Sequence, residues 1–164
     1  MTLMNRTPLE TQLHSGLPAR TQSGAIPGSA RLLGYSGVIP FAICAALFAW
    51  GNPEWQPLVL EAFLVYGAVI LSFIGGIRWG AAISGGRVRR GQLVMSVLPS
   101  LWAATFLLLP NEQNALIGLM TGFLLLGMAD WARPALGMPA WMRPLRARLT
   151  LAVATCHLAM VFAQ

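Results

Sequence analysis

Five runs of mostly apolar residues divide the chain, and each is close to the length that a helix needs to cross a membrane. A transmembrane helix requires roughly 20 apolar residues to span about 30 Å of hydrocarbon. One run contains an acid, Glu61, near its start. The predicted spans cover residues 32–50, 57–77, 92–109, 114–129 and 147–163. The sequence therefore predicts an all-α integral membrane protein, a bundle of about five transmembrane helices within residues 31–164.

The segment before these runs, residues 1–30, has a different composition. It contains no apolar run, one acid, several prolines and many Ser, Thr and Gly residues. Such a composition cannot form a packed core, so we predict a disordered cytoplasmic tail. Its arginines and its scarcity of acids also fit a weak mitochondrial presequence, which remains the alternative.

The arginines indicate the orientation of the bundle. The chain has 11 basic side chains, all arginine. With five spans, all of them fall on one side of the membrane, in the tail and in the second and fourth connections. Because positive charge is retained in the cytoplasm, the N-terminus is predicted inside and the C-terminus outside. The predicted location is the bacterial inner membrane, or alternatively the mitochondrial inner membrane with the arginines in the matrix.

Composition supports lipid as the main surroundings of the chain. Only 10% of the residues are charged, against about a quarter in soluble domains. A net charge of +6 would often suggest nucleic acid, but these arginines lie between apolar runs and predict no nucleic-acid partner. We expect several of them to contact the headgroups of anionic lipids. These are Arg87, Arg89, Arg90, Arg143, Arg146 and Arg148.

The second predicted span carries a stripe of small residues. The stripe consists of residues spaced by four, namely Ala68, Ser72, Gly76, Gly80 and Ser84. In lipid, small side chains let two helix backbones approach closely. The stripe predicts a tight contact between spans of one chain, or a seam between copies of the chain. A hinge at Gly75-Gly76 is a third interpretation.

Two ionisable positions of the same span are candidates for function. Arg78 lies at its inner end, where it can form an ion pair with Asp130 of the fourth span or act as an interfacial anchor. Glu61 lies about one turn inside the outer interface and has a short side chain that snorkels poorly. It is the candidate for a proton or cation contact, and an ordinary interfacial acid is the alternative.

The remaining reactive side chains do not form a recognisable catalytic or metal-binding set. His157 is accompanied only by the scattered Cys44 and Cys156, whereas zinc takes three or four protein ligands. All three are predicted to be core residues. Pro40 and Pro99 are expected to kink the first and third spans. The sequence predicts no catalytic residue, no metal and no cofactor.

Four segments of the chain resemble a known family. The most specific is YGAVILSFIGGIRWG, which begins at Tyr66, and the others are LGYSGVIPF, SVLPSLW and RPLRARLTL. They resemble the bacterial domain-of-unknown-function family 3429, to which mitochondrial transmembrane-protein-69-like proteins are similar. The resemblance implies a small multi-span inner-membrane protein and supplies no activity. Family members often have histidine where this sequence has Arg78, which argues against a fixed catalytic role there.

Two functions are compatible with this pattern. Short loops and packing stripes favour a structural, accessory or assembly component of a larger membrane complex, with a membrane-protein partner. The alternative is a small transporter or ion-permeation protein that acts as a homo-oligomer and uses Glu61. An enzyme would need polar side chains clustered at one depth, and the sequence predicts no such cluster besides the arginines.

Overall fold

The computed structural model of the protein is an all-helical bundle. It describes residues 25–84, 90–132 and 138–164, and no strand occurs in these ranges. The predicted tail lies outside the described residues up to position 24. The helices are α1 (Gly28–Ser36), α2 (Ile39–Trp50), α3 (Gln56–Ser84), α4 (Arg90–Leu107), α5 (Glu112–Ala132) and α6 (Met142–Ala163). A short 3₁₀ turn, Pro53–Trp55, precedes α3.

Each of the five apolar windows overlaps one of these helices or, for the first window, the pair α1 and α2. Four described segments are long and apolar enough to cross a membrane, namely Gly28–Trp50, Pro53–Ser84, Glu112–Ala132 and Met142–Ala163. The fifth, α4, is 18 residues long, starts with Arg90, Gly91 and Gln92 and does not reach the hydropathy of the other four. The prediction of about five spanning helices is confirmed as four to five.

The first span is broken into two helices. α1 ends at Ser36 and α2 begins at Ile39, with Pro40 in the first turn of α2. Proline lacks an N–H and clashes with the preceding turn, so it favours a new helix start over continuation. The hydroxyl of Tyr66 on α3 donates to the Gly37 carbonyl across 2.9 Å. A neighbouring helix thus supplies a partner for a carbonyl at the break.

Successive spans, the first of which is formed by α1 and α2 together, run in opposite directions and bring like ends together. One end of the bundle gathers Phe48, Gln56, Pro110 and Gln164 around a common groove. The other end, which we call the arginine end, joins Arg78 of α3, Asp130 of α5 and Arg146 of α6. The described acids Glu54, Glu61 and Glu112 belong to helix ends opposite to it. Charge is therefore segregated along the bundle axis.

The core lies where α2, α3, α5 and α6 meet. Phe41, Phe63 and Phe123 are buried there around the imidazole of His157. The Phe63 and His157 rings pack edge to face with centroids 4.7 Å apart, and those of Phe41 and Phe63 lie 5.2 Å apart. Edge-to-face pairs are favourable beyond the apolar area that they bury. His157 also contacts the Val153 carbonyl through Nδ1 at 2.9 Å, so Nδ1 carries the proton.

Close approach of α4 to its neighbours depends on glycine. A methyl group at Gly75 of α3 would lie 2.5 Å from the Ser96 carbonyl oxygen and 3.4 Å from the Pro99 ring. Pro99 lies inside α4, which continues through it. On the other side, the indole of Trp102 donates to the Gly118 carbonyl of α5 across 2.8 Å. The mid-span indole therefore has a hydrogen-bond partner although Trp102 is 37% exposed, as an indole N–H in lipid requires.

Candidate functional site

A buried ion cluster at the arginine end is the strongest polar feature of the described bundle. Asp130 has a side chain only 3% exposed and forms ion pairs with two arginines, accepting a hydrogen bond from Arg78 on Oδ1 and contacting Arg146 through Oδ2. Arg78 Nη1 contacts Oδ1, and Arg146 Nη2 lies 2.6 Å from Oδ2. The structure thus brings together the predicted pair and adds a second arginine that the sequence analysis assigned to lipid headgroups.

The cluster carries one more positive charge than negative. Two guanidinium groups share a single carboxylate, and their side chains are 8% and 11% exposed. Nε of Arg78 and Nη1 of Arg146 have no hydrogen-bond partner among the described residues. Unpaired buried charge is costly because low-dielectric surroundings do not replace the water that it loses. The arrangement can therefore receive an additional anion.

A third arginine borders the cluster on the surface of α6. Arg143 donates through Nη2 to the Trp131 carbonyl, and its guanidinium carbon lies 5.2 Å from the centroid of the Trp131 ring. Such a cation–π contact holds a guanidinium at the level where aromatic side chains meet the membrane interface. Arg143 consequently ties the C-terminal end of α5 to the start of α6, close to Asp130.

An apolar groove of about 360 Å³ lies beside the cluster, between α1, α3 and α6. Its walls are almost entirely aliphatic and aromatic, and among the described residues Arg146 contributes the single charged side chain that lines it. Leu33 of α1, Ile74 of α3 and Leu149 of α6 are representative of the walls. The groove was not predicted from the sequence, because it arises from how α1 packs against α6 after the break at Gly37.

Glu61 occupies the uncovered surface of α3. The residue is exposed, and no described side chain forms a salt bridge or hydrogen bond with it. It lies far along α3 from Arg78, so these two charges do not meet. Most of the length of α3 separates Glu61 from the ion cluster. The role of Glu61 as a proton or cation contact stays a prediction.

The small-residue stripe is only partly covered by the helices of this chain. Ala68 is buried and Ser72 is half-buried, whereas Gly76, Gly80 and Ser84 are exposed. A methyl group at Gly76 or Gly80 would meet no described atom within 4 Å. The contact of α3 with α4 instead uses the neighbouring Gly75. A packing role for the exposed part of the stripe therefore requires a helix that does not belong to the described bundle.

The arginines predicted to contact lipid headgroups have different surroundings. Arg87 and Arg89 lie outside the described residues. Arg90 and Arg148 are exposed at the arginine end, where they can reach a headgroup layer. Arg143 and Arg146 are half-buried and bind groups of the protein itself.

The remaining candidates of the sequence form no shared site. His157 is fully buried among phenylalanine rings, and its Nε2 has no hydrogen-bond partner among the described residues. Cys44 and Cys156 are half-buried free thiols that pack against the core. Within the described ranges, no three His, Cys, Asp or Glu side chains are grouped so that they could hold a metal ion.

Comparison with known proteins supports the resemblance seen in the sequence. Residues 26–162 match the family described as protein of unknown function DUF3429. The chain is also 38% identical over 131 residues to transmembrane protein 69 of Xenopus tropicalis. That alignment covers 76% of this chain and 50% of the relative, so the chain spans about half the length of this curated relative. No solved structure matches the chain. With a match that covers nearly all of the described helices, the chain belongs to the DUF3429 family of membrane proteins.

Proposed function

We propose that this protein is an accessory or assembly component of a larger complex in the bacterial inner membrane. The observation that carries the proposal is the uncovered face of α3, which we define by its exposed residues Glu61, Val65, Val69, Gly76 and Gly80. The opposite side of α3 packs against α2, α4 and α5. One face of the central helix is thus left for a neighbour outside the described bundle.

The chemistry of this face suits another membrane helix better than lipid. At about 100° per residue, Gly76 lies about 60° around the helix from Glu61, so both belong to one side. A carboxylate in lipid costs up to roughly 3 kcal/mol at the bilayer centre and less near the interface, unless a partner receives it. Gly76 and Gly80 leave room for the backbone of a second helix. A partner with a hydrogen-bond donor opposite Glu61 would satisfy both features.

The arginines and the fold favour one orientation for this component. With five spans, the arginine end faces the cytoplasm, because basic residues near span ends are retained there. In a mitochondrial relative the same rule would place that end in the matrix. Arg90 and Arg148, which are exposed, would then contact the headgroups of the cytoplasmic leaflet.

Gentle extraction at native expression level, followed by mass spectrometry, tests the proposal. The wild-type protein should co-purify reproducibly with components of one membrane complex. Gly76→Leu and Glu61→Gln should each lower that recovery about tenfold, since they remove the room for close approach and the polar contact. Gly91→Leu is the matched control, because Gly91 is equally open but lies at the start of α4. Recovery of the protein alone would remove the main support for an accessory role.

Transport by a homo-oligomer is the second candidate, and the exposed carboxyl of Glu61 is the observation that favours it. A discrete oligomer without a partner in the same extraction would support this candidate. Proton-coupled flux into liposomes should then be abolished in Glu61→Gln and retained in Gly91→Leu. An unchanged flux in Glu61→Gln would exclude Glu61 from the transport path.

A further inference from the structure

We infer that the groove between α1, α3 and α6 binds one acyl chain of an anionic phospholipid, whose phosphate is received by Arg146. The inference does not rest on the accessory role, because none of the residues that define the uncovered face of α3 lines the groove. It rests on the shape of the groove, the chemistry of its walls and the unbalanced charge of the ion cluster at Arg146.

The shape of the groove suits an acyl chain. Its wall on α6 extends from Met142 to Val153, which corresponds to about 16.5 Å along the helix axis, of which about 10 Å lies beyond Arg146. Its volume of about 360 Å³ falls in the range of roughly 300–1,000 Å³ that ligand sites occupy. The groove is partly open to the surroundings of the bundle, so a lipid can enter from the side.

The walls select an apolar occupant along most of this length. Leu33, Ile70 and Phe73 line the groove, together with other aliphatic and aromatic side chains. A polar solute in contact with such walls would lose its hydration without compensation. An acyl chain gains by the same contact, because apolar surface leaves water or disordered lipid for a matched surface.

The charge of Arg146, which lies within the α6 wall of the groove, selects the headgroup. Arg146 lines the groove while it also binds Asp130, and its Nη1 has no partner among the described residues. The cluster has an excess positive charge, since Arg78 binds the same carboxylate. A basic site between transmembrane helices near an anionic leaflet is the arrangement that recognises phosphate headgroups. A phosphate at Arg146 would neutralise this excess.

A phospholipid accounts for both the apolar walls of the groove and the excess positive charge at Arg146, whereas a free anion accounts only for the charge. Inorganic phosphate could pair with Arg146 but would leave the apolar length empty. A second copy of the chain would need a complementary acid at the arginine end, and Asp130 is the one acid that the described residues place there, already paired and buried. The lipid is therefore the occupant to which we commit.

The experiment measures lipid retention by the full chain. The purified protein is equilibrated with phosphatidylglycerol or with phosphatidylcholine of the same acyl chains and examined by native mass spectrometry. The wild-type protein should retain one phosphatidylglycerol per chain, about tenfold more than phosphatidylcholine, because a charge-assisted contact is lost with the zwitterionic lipid. Inorganic phosphate should not displace the bound lipid, since it cannot replace the acyl contacts.

Two pairs of variants locate the site. Arg146→Gln should lower phosphatidylglycerol retention about tenfold. Arg148→Gln, at an exposed arginine of the same helix that does not line the groove, should leave it within about twofold, because the surrounding leaflet that Arg148 contacts is removed on purification and only the groove-bound lipid is retained. Ala30→Phe fills the groove from α1, replaces no residue of the ion cluster and should have the same effect as Arg146→Gln. Its control is Ala42→Phe, at an exposed position of α2 that does not line the groove.

Several outcomes would overturn the inference. Equal retention of the two lipids would show that Arg146 does not select a headgroup. Equal losses of phosphatidylglycerol in Arg146→Gln and Arg148→Gln would show that general surface charge, and not a specific site, retains the lipid. A lipid-free dimer that Ala30→Phe dissociates would assign the groove to a second copy. Because Ala30→Phe leaves Asp130 and its arginines in place, the test does not depend on whether Arg146→Gln folds.

Discussion

Arg146 and Asp130 are joined across α5 and α6 by a contact of 2.6 Å, on the carboxylate oxygen that Arg78 does not use. Asp130 is therefore the shared counter-charge of two arginines, and its ion pairs connect α3, α5 and α6. Substitution of the aspartate should therefore lower stability more than substitution of either arginine, because only the aspartate compensates two charges.

Asp130→Asn should be the most destabilising single substitution in the cluster. It would leave two buried guanidinium groups without a counter-charge, and loss of one partner from a buried pair costs about 3–5 kcal/mol. Arg78→Gln and Arg146→Gln should each cost less, since a neutral pair remains. Unfolding in mixed micelles by added denaturing detergent measures the difference. Glu112→Gln, at the exposed start of α5, is the control and should be near neutral.

The reverse order would contradict this account of the cluster. If Arg146→Gln were as destabilising as Asp130→Asn, Arg146 would be held mainly by its aliphatic packing beside the groove and not by its charge. Arg146→Lys separates the two contributions, because it retains the charge but cannot reproduce the planar fork of the guanidinium.

The adjacent glycines of α3 should respond to alanine with opposite signs. A methyl group at Gly75 would lie 2.5 Å from the Ser96 carbonyl oxygen, a backbone atom that cannot move without shifting α4. We expect Gly75→Ala to destabilise the protein by about 1–3 kcal/mol, the usual cost of overpacking. Gly76→Ala meets no described atom and should stabilise α3 by up to about 1 kcal/mol through helix propensity.

The same unfolding assay compares these two variants, each serving as the control of the other. Destabilisation by Gly76→Ala of the same size as by Gly75→Ala would mean that the uncovered face of α3 is occupied in the purified protein. Circular dichroism should show equal helix content for both, because neither residue breaks α3.

Tyr66→Phe should weaken the junction between α1 and α2. The Tyr66 hydroxyl donates to the Gly37 carbonyl at the break, and its loss is expected to cost about 0.5–1.5 kcal/mol. Tyr35→Phe is the matched control, because Tyr35 lies on the exposed side of α1. Hydrogen exchange of the amides of α1 provides a local measurement. Unchanged exchange there in Tyr66→Phe would show that the break is held by Pro40 and packing alone.

The helices and the segregation of charge could be predicted from the sequence, for a simple physical reason. Lipid imposes a length and a near absence of charge on each span, so apolar windows mark the helices directly. The pairing of Arg78 with Asp130 was one of two interpretations that their positions allowed, since both lie at the arginine end of their spans, and the sequence did not decide between an ion pair and an interfacial anchor. Arg146 was assigned to lipid headgroups because the sequence does not fix how deep the start of α6 lies in the membrane. A difference of one helical turn in that depth decides whether an arginine reaches the headgroups or is buried in the bundle.

The packing face of α3 could not be predicted from spacing alone. Residues spaced by four drift by about 40° per step, so the stripe from Ala68 to Ser84 turns by about 160° around the helix. The observed buried face follows Gly67, Leu71, Gly75, Arg78 and Ala82, where one step of three among steps of four corrects the drift and keeps one direction. Large and charged residues interrupt this row, so it does not appear as a stripe of small residues.

The orientation of the bundle gives the last prediction. Five spans with the arginine end in the cytoplasm place the C-terminus and the connection at Pro110-Asn111 on the far side of the membrane. Alkaline phosphatase fused after Gln164 should therefore be active, and GFP fused there should be dark. A fusion in the connection after Ser84 should show the opposite pattern and is the internal control. α4 is the weakest of the five spans, because it has 18 residues and a polar start. If GFP fused after Gln164 were bright while the control fusion also lay in the cytoplasm, α4 would not cross the membrane.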